Sequence, residues 1–190
     1  ERGDWQHLCD NERPITGGSL TARSRGQRRV GYDFNFHAPK SVSLLMGATQ
    51  DPRIVEAFRQ AVGETMKEIE ADAKARVRRS GQNEDRATGN LLWGEYVHLT
   101  GRPVDGIPDP HLHAHCFVFN ATFDSKESRW KAAQLGDIKR DAPYFEAVFH
   151  AALARKLEDL GLKTQRTATG WELAGFEKAT LQRFSRRTSQ

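Results

Sequence analysis

Residues 109–115 read Asp109-Pro110-His111-Leu112-His113-Ala114-His115. Histidine alternates with a small or apolar residue, the period-2 pattern of a strand with one polar face and one buried face. Three histidines on one strand cannot all reach one ion. Positions i and i+4 lie about 13 Å apart along a strand, whereas zinc–nitrogen bonds are only about 2.0–2.1 Å. A neighbouring pair, i and i+2, can converge on a single metal, and the third ligand must then come from an adjacent strand. His98 supplies it. It lies near the end of a strand-like stretch, 91–100, and the turn-rich Gly101-Arg102-Pro103 and Gly106-Ile107-Pro108 can return the chain antiparallel. Three neutral imidazoles on one face leave coordination positions open for water or a phosphate oxygen.

Working outward, residues 30–46 alternate (Val30, Tyr32, Phe34, Phe36) and then become apolar from Val42 to Met46. That pattern predicts a strand, a turn at Ala38-Pro39, and a helix start or second extended piece. Asp33 falls on the polar side of the alternation, with Asn35 and His37. A carboxylate there is solvated, or accepts a ring N–H from a metal-bound histidine, or takes a proton from a nucleophile. Periodicity does not choose among these. Asp51-Pro52 predicts a helix start, and Ile54, Val55, Phe58, Val62, Met66, Ile69 and Ala73 follow at helical spacing, with Gly81 as the stop. Further strands are expected at 112–123 and near Trp130, a helix from Ile138 to Leu160, a hairpin of Lys163–Arg166 with Trp171–Leu173, and a short terminal helix. Residues 1–29 read as a polar loop or flap, and 30–190 as the core of a single domain. The order of elements predicts an α+β fold, a central antiparallel sheet of about five strands flanked by helices.

Composition narrows the function classes. The chain has 190 residues, enough for one domain with a real core. Its longest apolar runs are a few residues, far below the about 18 that a spanning helix needs, so no membrane association is expected. No secretory leader is visible, and the chain opens on Glu1 rather than methionine, as a fragment would. Cys9 and Cys116 make no disulfide framework, which suits a cytoplasmic setting. The net charge of +4 is unevenly spread: Arg23, Arg25, Arg28 and Arg29 cluster early, and Arg183, Arg186 and Arg187 late. Such clusters suit a phosphate backbone or a solvated surface.

The combined motifs resemble the MobF class of conjugative relaxases. The resemblance is carried by Asp33-Phe34-Asn35-Phe36-His37-Ala38-Pro39-Lys40-Ser41-Val42-Ser43, by His98, and by Asp109-Pro110-His111-Leu112-His113-Ala114-His115. It continues through Trp130-Lys131-Ala132 and Phe184-Ser185-Arg186-Arg187-Thr188-Ser189-Gln190. It implies the sheet-and-helix fold of HUH endonucleases, with His98, His113 and His115 as ligands of one divalent ion (Mg, Mn or Zn), and His111 outside that set. It places the catalytic aspartate on Asp33 and DNA contacts on Lys40, Ser41, Lys131 and Arg186. The implied activity is nicking and transfer of single-stranded DNA at a conjugative transfer origin by tyrosine attack. The implied protein is a cytoplasmic monomer, working with accessory conjugation proteins and able to travel with the strand to a recipient cell. The family's nucleophilic tyrosines belong to a segment expected before Glu1; Tyr32, Tyr96 and Tyr144 do not occupy that motif. Two other readings compete: a non-catalytic single-stranded DNA-binding module, favoured by the unmatched tyrosine, and a three-histidine metallohydrolase. The basic clusters and the motif at Ala38–Ser43 weigh against the latter.

Overall fold

A computed structural model describes residues 2–22, 28–79 and 81–185. In chain order the elements are α1 (Arg2–Cys9), β1 (Gly31–His37), α2 (Lys40–Thr49), α3 (Pro52–Ala71), β2 (Lys74–Arg79), β3 (Gln82–Ala87), β4 (Trp93–Thr100), β5 (Pro110–Phe119), β6 (Thr122–Asp124), β7 (Arg129–Lys131), α4 (Gly136–Arg140), α5 (Ala142–Asp159), β8 (Thr164–Arg166), β9 (Trp171–Leu173) and α6 (Lys178–Arg183). The fold is α+β, as the element order predicts. Among the described residues the central sheet runs β1-β5-β4, and the other strands pair as hairpins, β2-β3, β6-β7 and β8-β9. β5 runs antiparallel to both neighbours. Ala38 N–H donates to Leu112 O at one end and Asn120 N–H to Val30 O at the other. On the opposite edge, Gly101 N–H donates to Asp109 O and Phe119 N–H to Leu92 O.

The chain divides into two compact units. The first comprises Glu1–Phe34, Met66–Gly94 and Cys116–Phe145; the second comprises Asn35–Thr65, Glu95–His115 and Glu146–Gln190. The boundaries fall inside β1, β4, β5, α3 and α5, so these long elements each serve both units. In the second unit, Phe149 is the hub: its ring lies 5.2 Å from Phe36 and 5.6 Å from Phe58. Val42, Val62, Leu112, Leu153 and Leu157 are completely buried in the same unit. Burying a side chain of this size contributes about 1.5–3 kcal/mol.

The first unit contains two departures from the sequence expectation. Residues 2–9 are helical rather than part of a loop, because Trp5 has a core to join: its ring lies 4.7 Å from Phe119 and 5.5 Å from Phe117. Gly81, at φ +80°, is the turn of the β2-β3 hairpin rather than a helix stop. α3 ends ten residues earlier, at Ala71, because Ala75 and Val77 are buried by strand alternation.

A buried ionic cluster ties this unit together. Asp124 is only 1% exposed. Its carboxylate accepts two hydrogen bonds from Arg86 Nη1, at 2.7 and 2.9 Å, and the backbone N–H groups of Lys126 and Glu127. Lys131 Nζ lies 3.5 Å from Asp124 and donates to Glu127 at 2.9 Å. Burial alone would raise the Asp124 carboxyl, but Arg86 and the backbone donors hold it below its ordinary value. A depressed folded value means that stability is fully present above the unfolded carboxyl's pH range and is lost as pH falls through the folded one. Asp124→Asn should therefore cost about 2–4 kcal/mol at neutral pH. The gap from the parent chain should shrink below about pH 4. Urea unfolding at pH 7 and pH 3 checks this; an equal gap at both would remove the ionic account.

Candidate metal centre

β5 gives the site its alternation. Leu112, Ala114 and Cys116 are completely buried, and His111, His113 and His115 share the opposite, partly open face. The N-terminal end of β5 is held by α2 and the residue before it. Lys40 Nζ donates to Pro110 O at 2.9 Å, Leu112 N–H donates to Ser43 Oγ at 3.0 Å, and Ala38 N–H donates to Leu112 O at 3.0 Å. Gly47 lets α2 approach closely, since a Cβ there would meet the Pro110 ring at 3.1 Å. On the other edge, β4 presents His98 on its exposed face while Glu95 pairs with Arg59 of α3 at 2.8 Å.

These contacts bring together the three histidines singled out from the sequence. The ring centroids of His98 and His113 are 5.1 Å apart, those of His98 and His115 5.5 Å, and those of His113 and His115 5.3 Å. Three imidazoles around a tetrahedral ion would have centroids about 5.2 Å apart, given metal–nitrogen bonds of about 2.05 Å. Spacing is thus suitable, but the ring nitrogens have not converged. Among the described residues no group of three or more His, Cys, Asp or Glu side chains is arranged to enclose an ion as placed.

The tautomer of His113 is set by its backbone. Its Nδ1 lies 2.9 Å from His111 O, an acceptor only, so Nδ1 carries the proton and Nε2 keeps its lone pair. That is the form a metal ligand needs, with the carbonyl as the partner that orients it. Burial is the main cause holding His113 below the ordinary histidine range, with His98 and His115 adding in the same direction against the raising effect of the His111 carbonyl. The chemistry of the three donors and the tautomer of His113 therefore fit a divalent ion.

Two further histidines join the cluster. His37 Nδ1 lies 3.2 Å from His111 Nε2, and the His37 ring stands 5.2 Å from His111 and 5.7 Å from His113. Burial pushes His37 down, as do His113, His115 and His150, while Glu146 opposes them. His37 is not among the ligands expected from the sequence. Its place on the polar side of β1 was the available signal, but the facing position on β5 could not be known without the register.

Other expected site residues fare differently. Asp33 is exposed on the same face of β1 as Asn35 and His37 and belongs to the first unit. Ser41, expected at a DNA surface, is instead completely buried. Its N–H and hydroxyl donate to Glu172 Oε2 at 2.8 and 2.5 Å, and Leu173 N–H donates to its Oγ at 2.7 Å. The Glu172 carboxylate thus caps the start of α2, where the helix dipole favours a negative charge. Lys40 is half-buried, with its ammonium on Pro110 O, and the Lys131 side chain is only 13% exposed between Glu127 and Asp124. Both act inside the protein in this structure rather than as open phosphate contacts. Arg186 lies outside the described residues, as do Arg23, Arg25 and Arg187. Arg28 donates to Cys9 O, and Arg29 donates to the Tyr32 hydroxyl.

The chain matches the TrwC relaxase family over residues 1–190. It is 34% identical over 158 residues to the multifunctional conjugation protein TraI of Escherichia coli, covering 78% of this chain and 9% of TraI. It superposes on the metal-bound structure of conjugative relaxase TrwC in complex with oriT DNA with a TM-score of 0.91 at 31% identity, covering 100% of this chain and 65% of that one. A copper-bound TrwC–oriT complex gives 0.91 at the same identity, with 64% of that chain covered. TrwC complexed with a 27-mer DNA comprising the recognition hairpin and the cleavage site gives 0.90, with 67% covered. This chain thus spans a small part of TraI and about two thirds of the TrwC chains. Matched from end to end by the family and superposed along its whole length on TrwC, the chain belongs to the TrwC relaxase family.

Proposed function

We propose that this chain is the histidine-bearing core of a relaxase that nicks one strand of DNA at a conjugative transfer origin and transfers it through a tyrosine. The observation that carries the reading is the meeting of His98, His113 and His115 on two neighbouring strands of a TrwC-family chain. The related TrwC structures hold oriT DNA, and two of them are metal-bound. Here the three histidines hold one divalent ion, Mg, Mn or Zn, and imidazole donors favour zinc among them. When bound, the ion supplies Lewis-acid stabilisation of charge on the scissile phosphate's oxygens. Asp33 accepts the proton of the attacking tyrosine, in line with its motif position and its exposed, polar strand face.

The nucleophile in this reading is none of Tyr32, Tyr96 and Tyr144. Tyr32 shares its strand face with Phe34 and Phe36, and Tyr144 opens α5. Tyr96 is exposed on the same face of β4 as His98, which makes it the one to test. The substrate is single-stranded DNA, and the protein works as a cytoplasmic monomer alongside accessory conjugation proteins. Among the described residues no helix is long and apolar enough to cross a membrane.

Three outcomes are expected. Replacing His98, His113 or His115 singly by Ala should weaken uptake of the first metal equivalent by about 100-fold or more, beyond the roughly 10–100-fold that loss of a supporting partner produces. His111→Ala should spare that equivalent, and metal titration of the four variants decides; an equal loss for His111→Ala would sink the assignment. Residues 1–190 should bind single-stranded oligonucleotides with strong salt dependence yet form no covalent adduct. A protein–DNA band that survives denaturation and disappears in Tyr96→Phe would move the nucleophile to Tyr96. In a protein carrying the nucleophilic tyrosine, Asp33→Asn should slow strand cleavage by about 10²–10⁴-fold with an unchanged melting temperature. Normal cleavage together with a collapsed melting temperature would make Asp33 purely structural.

A further inference from the structure

The five clustered histidines are more than one ion needs. Three are accounted for by the triad, and the two that remain, His37 and His111, face each other across β1 and β5. Their nitrogens, His37 Nδ1 and His111 Nε2, are 3.2 Å apart, and their ring centroids are 5.2 Å apart with an interplanar angle of 21°. Two imidazole ligands of one tetrahedral ion need nitrogens about 3.3 Å apart and centroids about 5.2 Å apart. A collinear hydrogen bond of the same N···N length would put the centroids about 5.5 Å apart, so the rings are tilted off that line, to the separation of two ligands that share a point between them. His37 is exposed, and His111 is half-exposed, so that point can be reached from solvent.

We propose that His37 and His111 form a second divalent-metal site beside the triad, selective for an imidazole-preferring ion such as zinc or nickel and not for magnesium. The two sites are contiguous but use different ligands. His113 separates them: its ring stands 4.6 Å from His111 and 5.1 Å from His98, and its Nδ1 proton is committed to His111 O. Glu146 and His150, four residues apart on α5, both act electrostatically on His37. The negative charge of Glu146 thus favours a cation on the His37 side of the pair. The role, though not the site, rests on the relaxase reading: a second cation there offers a contact to a phosphate next to the one held at the triad.

The test uses the chain of residues 1–190 stripped of metal and titrated with Zn²⁺ alone, then with Mg²⁺ alone, reading bound equivalents per chain and affinity. Zn²⁺ should fill two equivalents, the second more weakly, while Mg²⁺ should not fill the second. His37→Ser and His111→Gln should each weaken only the second equivalent, by about tenfold or more, and Glu146→Gln should weaken it less, in the range seen when supporting groups are lost. The double variant His98→Ala/His115→Ala should lose the first equivalent and keep the second. Saturation of the parent chain at one equivalent would overturn the proposal without touching the triad. So would an unchanged second equivalent in both His37→Ser and His111→Gln, which would leave a hydrogen bond only. Loss of both equivalents in the triad double variant, with its melting temperature unchanged, would show one shared site and also overturn it. Loss of the first equivalent alone in that double variant supports both the triad and the separate pair.

Discussion

The register of β5 is the constraint on which the metal centre depends. Strand side chains alternate with period 2, so a slip of one residue would turn every histidine into the core and every buried residue out of it. Two independent effects oppose that slip. Leu112, Ala114, Cys116 and Val118 are completely buried, and exposing a side chain of leucine or valine size costs about 1.5–3 kcal/mol. The backbone at Pro110 and Leu112 is also held by Lys40, Ser43 and Ala38 through three hydrogen bonds, each contributing about 0.5–1.5 kcal/mol and more where a charge takes part. Ala38-Pro39-Lys40-Ser41-Val42-Ser43 thus reads in the structure as the fastening of the histidine strand. Glu172 extends the same fastening to β9, since it holds Ser41 and so the start of α2.

What the sequence showed, and what it concealed, follows the distance over which each residue finds its partner. The alternation at 111–115, the helix start at Asp51-Pro52 and the hairpin near 164–173 were legible because their causes are local. Asp51 Oδ1 accepts the Arg53 N–H two residues on, for example. The burial of Ser41, expected as a DNA contact, was concealed because its partner, Glu172, lies 131 residues away. The contact of Lys40 with Pro110, 70 residues away, was out of sight for the same reason. α1 was hidden because only three apolar side chains, Trp5, Leu8 and Cys9, mark it, and the rings that Trp5 packs on are beyond residue 116. His98 could be paired with the histidine strand from turn spacing, whereas His37 required the register of β1 on β5.

The two units use charge in opposite ways. In the first, Asp124, Glu127, Arg86 and Lys131 satisfy one another, so the cations there are matched internally. In the second, five imidazoles stand together, and partial desolvation and mutual repulsion keep His37 and His113 neutral over a wider pH range than an isolated histidine would be. Neutral imidazole is both the form that tolerates such crowding and the form that binds metal. Crowding of histidines is therefore inexpensive here in a way that crowding of lysines would not be, because each lysine would keep its charge.

The connection between β4 and β5 has a further consequence. Asp105 and Gly106 both have positive φ, 50° and 80°, and Val104 and Ile107 exchange a pair of backbone hydrogen bonds of 3.1 Å, the arrangement of a tight two-residue hairpin turn. Gly101 N–H to Asp109 O closes the base of this loop before His98 or His111 is reached. The tip, where Ile107 is 62% exposed, is thereby insulated from the histidines. Extra residues, a dye-bearing cysteine or an affinity peptide could be spliced in at Asp105-Gly106 while the closed base preserves the pairing beneath. Loop length is cheap to change when the ends are already held together, since doubling it costs only about 0.6 kcal/mol. The same insulation lets the turn change in length and composition while the chemistry below it stays in register.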